Sequence, residues 1–129
     1  MTDPFEMLHE DHVRIEGLFA QWASAPAGRH RNDIYGQLAQ EIKLHTQIEE
    51  QLLYPLLARY QATSALTRDA LVVHASVEHS MAEAETTPAG SERFDAEVSS
   101  MQEHVDRHVR EEEQELFPKA RTLLTHQQL

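Results

Sequence analysis

The stretch HTQIEEQLLYP (His45 to Pro55) returns downstream as HVREEEQELFP (His108 to Pro118), and both copies spell His-x-x-x-Glu-Glu-Gln-x-Leu-aromatic-Pro. A spacing of four puts His45 with Glu49, and His108 with Glu112, on one helix face each. Those faces continue as apolar stripes at steps of three and four. One holds Leu38, Ile42, His45, Glu49, Leu52 and Leu56; the other holds Phe94, Val98, Met101, Val105, His108, Glu112 and Leu116. Each stripe reads as core, yet a histidine and a glutamate interrupt it. Burying an ionised carboxylate or an unpaired imidazole costs on the order of several kcal/mol unless a partner satisfies it. The repeat therefore predicts two core-facing helices and something for their polar groups to share.

Working outward, Asp3-Pro4 followed by Glu6 has the form of an N-cap, a first-turn proline and a capping-box glutamate, so a first helix is predicted from about residue 4 to Ser24. Its stripe is Phe5, Leu8, His12, Ile15, Phe19 and Trp22. APAGRHRN breaks it, and Asn32 or Asp33 caps a second helix running to about Arg59 with a kink at Pro55. Ser64 and Thr67 are candidate caps for a third helix to about Glu85, and Ser91 caps a fourth to about Leu123. The third helix offers two neighbouring stripes, Val72, Ala75, His79 and Ala82 or Leu71, His74, Glu78 and Met81. Nothing reads as strand. Four helices with short polar connections predict an all-α, up-down-up-down antiparallel four-helix bundle.

The 129 residues suit a single domain over 1–129. Hydrophobic residues make up 40 %, and no apolar run approaches the roughly 20 residues needed to span a bilayer. The opening MTDPFEML lacks the basic-then-apolar order of a secretory signal, which makes a cytoplasmic location the expectation. A net charge of -11 disfavours nucleic acid and anionic membrane surfaces as partners. The absence of cysteine excludes disulfides, thiolate metal sites and thiol nucleophiles, so a metal would be held by nitrogen and oxygen, of which nine histidines and 22 acidic residues offer ample supply.

On the predicted boundaries His12, Glu49, His79 and Glu112 all fall roughly 12–17 Å from the same end of the bundle, at 1.5 Å per residue. They can meet in one layer with His45 and His108. Two carboxylates facing each other across a bundle can bridge two metals, and several imidazoles with carboxylates suit iron or manganese better than calcium, magnesium or a four-ligand structural zinc. Two irons are the favoured reading. The paired Glu-x-x-His of ferritin-like bundles is not the pattern here; that spacing occurs at Glu6 to His9 alone.

These residues resemble the hemerythrin-like, or HHE cation-binding, domains over nearly the whole chain. LHEDHVRIEGLF resembles the family's first-helix Asp-His element, HTQIEEQLLYPLL its second, SVEHSMAEA its Glu-His third and HVDRHVREEEQELFPKA its fourth. The resemblance implies a hemerythrin-like bundle with iron ligands at His12, His45, Glu49, His79, His108 and Glu112, the two glutamates bridging an oxo- or hydroxo-linked, non-heme pair of Fe ions. A seventh ligand is common in the family, and His74 is the candidate, although its spacing of five from His79 turns it about 140° around the helix. A boundary histidine bonded to a carboxylate is the alternative for His74. Glu112 sits four residues after His108, where the oxygen carriers have an aspartate at five.

The remaining features have ordinary readings: His9, His30 and His126 as surface residues, His104 as a rim group, Tyr54 and Phe117 as packing beside the prolines, and REEEQE as a solvated face except for Glu112. Tyr54 alone of the aromatic pair could bring a hydroxyl to a metal. The implied function is binding of dioxygen, or a related ligand such as nitric oxide, at the di-iron site, for storage or sensing. The alternative is a redox enzyme that removes peroxide or nitric oxide, or supplies iron to repair other centres. A metal-free helical interaction module is the third reading.

Overall fold

The computed structural model describes residues 3–124; His126 lies outside them. Asp3 caps α1 (Pro4–Ser24), its carboxylate accepting the Phe5 N–H at 2.8 Å, with Pro4 at the first helical position. Helix α2 (Arg29–Ile48) begins before Asn32 and Asp33, directly after Gly28, whose φ of 147° suits a residue without a side chain. Helix α4 (Gln61–Glu85) also begins earlier than either Ser64 or Thr67, after the extended Tyr60. Helix α5 (Glu92–Glu111) starts where expected, with Ser91 Oγ accepting the Phe94 N–H at 3.1 Å. The elements form an antiparallel four-helix bundle, and no strand occurs among the described residues. None of their helices is long and apolar enough to cross a membrane.

Both copies of the repeat depart from a regular helix at the glutamate. Beyond α2 the backbone widens into a π segment at Glu49–Leu53 before α3 (Tyr54–Leu57), and beyond α5 it does so at Glu112–Leu116 before α6 (Phe117–Leu123). The Tyr54 N–H reaches back to the Glu49 carbonyl and the Phe117 N–H to that of Glu112, five residues in each case. Pro55 and Pro118 follow immediately. A proline has no N–H and its ring collides with the carbonyl four residues earlier, so a locally widened ladder relieves what a regular helix would not tolerate. The kink expected at Pro55 is thus a π bulge upstream of it.

The extra residue rotates everything beyond it. Leu52, placed in the core stripe by regular periodicity, is 67 % exposed, and Leu56 is only partly buried. The buried positions are instead Leu53, Tyr54 and Leu57, matched in the second copy by Leu116, Phe117 and Ala120. Two apolar clusters result. One gathers Ile15, Phe19, Trp22, Leu38, Ile42, Val77, Val98, Met101 and Val105; the other gathers Phe5, Leu8, Leu53, Leu57, Ala70, Leu116 and Phe117. Between them in sequence on every rod stand buried polar residues: His12 on α1, His45 and Glu49 on the second rod, His74 on α4, His108 and Glu112 on the fourth.

Candidate metal centre

Each polar residue of this layer is held by its apolar neighbours. His12 lies between Leu8 and Ile15, His45 follows Ile42 by three, His74 lies between Ala70 and Val77, and His108 follows Val105 by three. The donor atoms form two groups, each with all members within 4.8 Å of one another: His12, His45, Glu49 and Glu112 in one, Glu49, His74 and His108 in the other. His12 Nε2 is 3.1 Å from His45 Nε2 and 3.1 Å from Glu112 Oε1. His74 Nε2 is 3.0 Å from His108 Nε2 and 3.1 Å from Glu49 Oε1. Both carboxylates face both groups. Glu49 Oε2 is 3.3 Å from His45 Nε2 while its Oε1 faces His74, and Glu112 Oε1 is also 3.3 Å from His108 Nε2.

His79 does not join them. It is exposed on the outer face of α4, together with Val72, Ala75 and Ala82 of the first of the two stripes offered for this helix. Two causes reverse the expected ranking of His79 and His74. Helix α4 starts at Gln61, about seven residues earlier than the level of His79 requires, which is roughly 10 Å along the axis. Its core stripe also passes through Thr63, Thr67, Ala70, His74, Val77, Met81 and Ala84. Thr63 and Thr67 are buried because their hydroxyls donate to the Leu57 and Thr63 carbonyls at 2.6 and 2.8 Å, so the stripe looks polar in sequence. His30 is exposed and His104 half-buried, neither within the donor groups.

Tyr54 reaches the middle of the layer, a consequence of the π bulge that turns it inward. Its hydroxyl donates to Glu112 Oε2 at 2.6 Å, with Glu49 Oε1 at 3.0 Å and the Nε2 atoms of His74 and His108 both at 3.3 Å. Behind the histidines stand carboxylates that the periodicity did not single out. His45 Nδ1 meets Asp11 Oδ2 at 3.0 Å, and Glu113 Oε1 lies 2.8 Å from His12 Nδ1 and 2.7 Å from His9 Nδ1. Glu113 was read as part of a solvated run; Arg110, Glu111, Gln114 and Glu115 of that run are exposed, whereas Glu113 is half-buried. Its signal in sequence is adjacency to Glu112.

The donor set calls for positive charge. Burial raises the carboxyl of Glu112, and the Glu49 charge beside it pushes it further up. Burial likewise works against an ionised Glu49, but hydrogen bonds from Glu112, His108, His45 and His74 hold its carboxyl well below the usual range. For His45, burial by itself disfavours the cation; hydrogen bonds and charge from Glu49, and the bond to Asp11, outweigh it and lift the imidazole to about 9. Protons thus do here what a cation would do better. Glu49 Oε2, fully buried, has the 3.3 Å contact to His45 Nε2 but no hydrogen bond of good geometry. The separations of about 3.0–3.5 Å also match the edge of a coordination polyhedron with bonds of about 2.1 Å, which is about 3.0 Å for an octahedron and about 3.4 Å for a tetrahedron. Nitrogen and oxygen donors, an orphaned carboxylate oxygen and these edges fit bound metal.

The family model for the hemerythrin HHE cation-binding domain matches residues 3–120. The chain belongs to this family. Among solved structures it is similar to a hemerythrin HHE cation-binding domain-containing protein from Mycobacterium kansasii, with 29 % identity and a TM-score of 0.81 over 92 % of this chain and 72 % of that one. No curated protein matches it. Family membership and the buried histidine and glutamate clusters together assign metal binding to this chain.

Proposed function

We propose that this HHE domain holds two iron ions and binds dioxygen, or a related small molecule such as nitric oxide, for storage or sensing. In this reading Glu49 and Glu112 would be shared by the two ions, His12 and His45 would hold one, and His74 and His108 would hold the other. The observation that carries it is the pairing of two donor groups through shared carboxylates, beside a cavity sized for a few atoms. That cavity measures about 20 Å³ and is bounded by the four histidines, Thr46 and the apolar Ile15, Ile42, Val77, Val105 and Val109. A volume of this order admits one water-sized molecule and excludes any organic substrate. When bound, a ferrous pair supplies electrons and an open coordination position.

The protein's own residues then set the outcome. The isoleucines and valines exclude water from the cavity, while the carboxylates and Tyr54, hydrogen-bonded to one another, are not among the residues that line it. Tyr54 also favours a second reading. A phenol hydroxyl kept neutral by burial and by the Glu112 and Glu49 charges is a hydrogen-bond donor at the centre, able to orient a bound peroxide, which suits an enzyme that removes it. One pair of measurements separates them. Recovery of the ferrous absorption spectrum on removing oxygen is expected for the binding protein, and steady oxygen evolution from added peroxide would instead establish the enzyme.

A further inference from the structure

The two donor groups share Glu49, and Glu112 faces both, so these carboxylates do not distinguish them. What stands behind the histidines does. At His12 and His45 both outward Nδ1 atoms meet a carboxylate, Glu113 at 2.8 Å and Asp11 at 3.0 Å. Each of these is itself held: Asp11 by the Arg14 guanidinium, and Glu113 by His9 Nδ1 at 2.7 Å. At the other group His74 Nδ1 is buried without a hydrogen-bond partner, and Glu50 Oε1 stands off at 3.6 Å. The carboxylates near His108, among the described residues, lie on its Nε2 side. Tyr54 occupies space near both Nε2 atoms of this second group as a hydroxyl that donates to Glu112.

A carboxylate on the outward nitrogen fixes the tautomer and rotation of a ligating imidazole and makes its inner nitrogen more basic; losing one such partner typically lowers metal affinity about 10–100-fold. We infer that the two metal positions are unequal: the His12/His45 position fills first and empties last because Asp11 and Glu113 back it, and the His74/His108 position is the exchangeable one. Asp11 and Glu113 are positioning residues in this account. The inference rests on the two-metal reading above.

Repulsion between neighbouring ions separates two binding steps even at identical positions, so the test compares variants that retain one position each. Metal-free His74→Ala keeps the backed position and His12→Ala keeps the other, with His45→Ala as the substitute if His12→Ala does not fold. Calorimetric titration with Co²⁺ at neutral pH is expected to give one ion per chain in each, bound about 10-fold or more tightly in His74→Ala. Adding Asp11→Ala to His74→Ala should weaken binding about 10–100-fold, whereas adding Glu50→Ala to His12→Ala should change it less than about twofold. Equal affinities in the two single variants, or no loss on adding Asp11→Ala, would overturn the inference while leaving the two-metal reading intact. Fewer than two Co²⁺ ions bound by the wild-type chain would remove that reading itself.

Discussion

Replacing Tyr54 by phenylalanine removes one oxygen from the most enclosed part of the molecule and leaves the ring. Tyr54 is 2 % exposed, so the change opens no solvent path and disturbs little packing. What it deletes is the O–H that Glu112 Oε2 accepts at 2.6 Å with Glu49 Oε1 at 3.0 Å. Burial, then the Glu112 and Glu49 charges, push the phenol far up, so it remains a donor across the whole working pH range. A hydrogen bond to a charged group contributes about 1.5–3 kcal/mol, and the loss falls on a buried carboxylate pair with no access to water. The metal-free Tyr54→Phe protein should therefore be less stable by about 1.5–3 kcal/mol, a large share of the roughly 5–15 kcal/mol of a typical domain. Urea unfolding in the presence of a chelator, followed by far-ultraviolet circular dichroism, should show the midpoint lowered by about 1 M with an unchanged slope. A midpoint equal to that of the wild type, or higher, would refute the role of this hydroxyl as the donor that steadies the carboxylate pair.

His74→Ala should lose about half of the bound metal, whereas His79→Ala should keep its full complement and stay within about 0.5 kcal/mol of wild-type stability, as elemental analysis and thermal melting will show. The π bulge predicts opposite outcomes for adjacent leucines: Leu53→Ala should destabilise by about 2–4 kcal/mol, and Leu52→Gln should be close to neutral, both read from urea midpoints. Asp3 pays slight desolvation, but its bonds from the Phe5 N–H and Arg121 lower its carboxyl, so the cap contributes fully above its ordinary value of 3.8 and progressively less as pH falls through the depressed one. Asp3→Ala should thus be less stable than wild type by about 1 kcal/mol at neutral pH, and the gap in melting temperature should narrow towards pH 3.

Much of the layer was legible because the duplicated His-x-x-x-Glu sits on strongly apolar stripes. His45, Glu49, His108 and Glu112, and His12 on its own stripe, are brought together as their periodicity indicates. The third helix was not legible in the same way. Its core face includes two threonines that satisfy themselves on backbone carbonyls, and its outer face carries Val72, 66 % exposed, so hydropathy offered two stripes and did not decide between His79 and His74. The phase beyond each glutamate was hidden for another reason. A π bulge adds one residue to a turn, and a regular period of 3.6 carried through it selects Leu52 where the structure buries Leu53 and Tyr54. Asp11 and Glu113 act between helices, through contacts about 34 and 101 residues apart in sequence, so adjacency to His12 and Glu112 marks them without showing which histidine each meets.

The most direct test of the two-metal account is elemental analysis of the protein purified from iron-replete cells, expressed as iron, manganese and zinc per chain. The account predicts about two irons per chain, falling to a small fraction of that in Glu49→Ala, because both donor groups share this carboxylate. A chain carrying no metal, a single zinc, or as much iron in Glu49→Ala as in the wild type would contradict it.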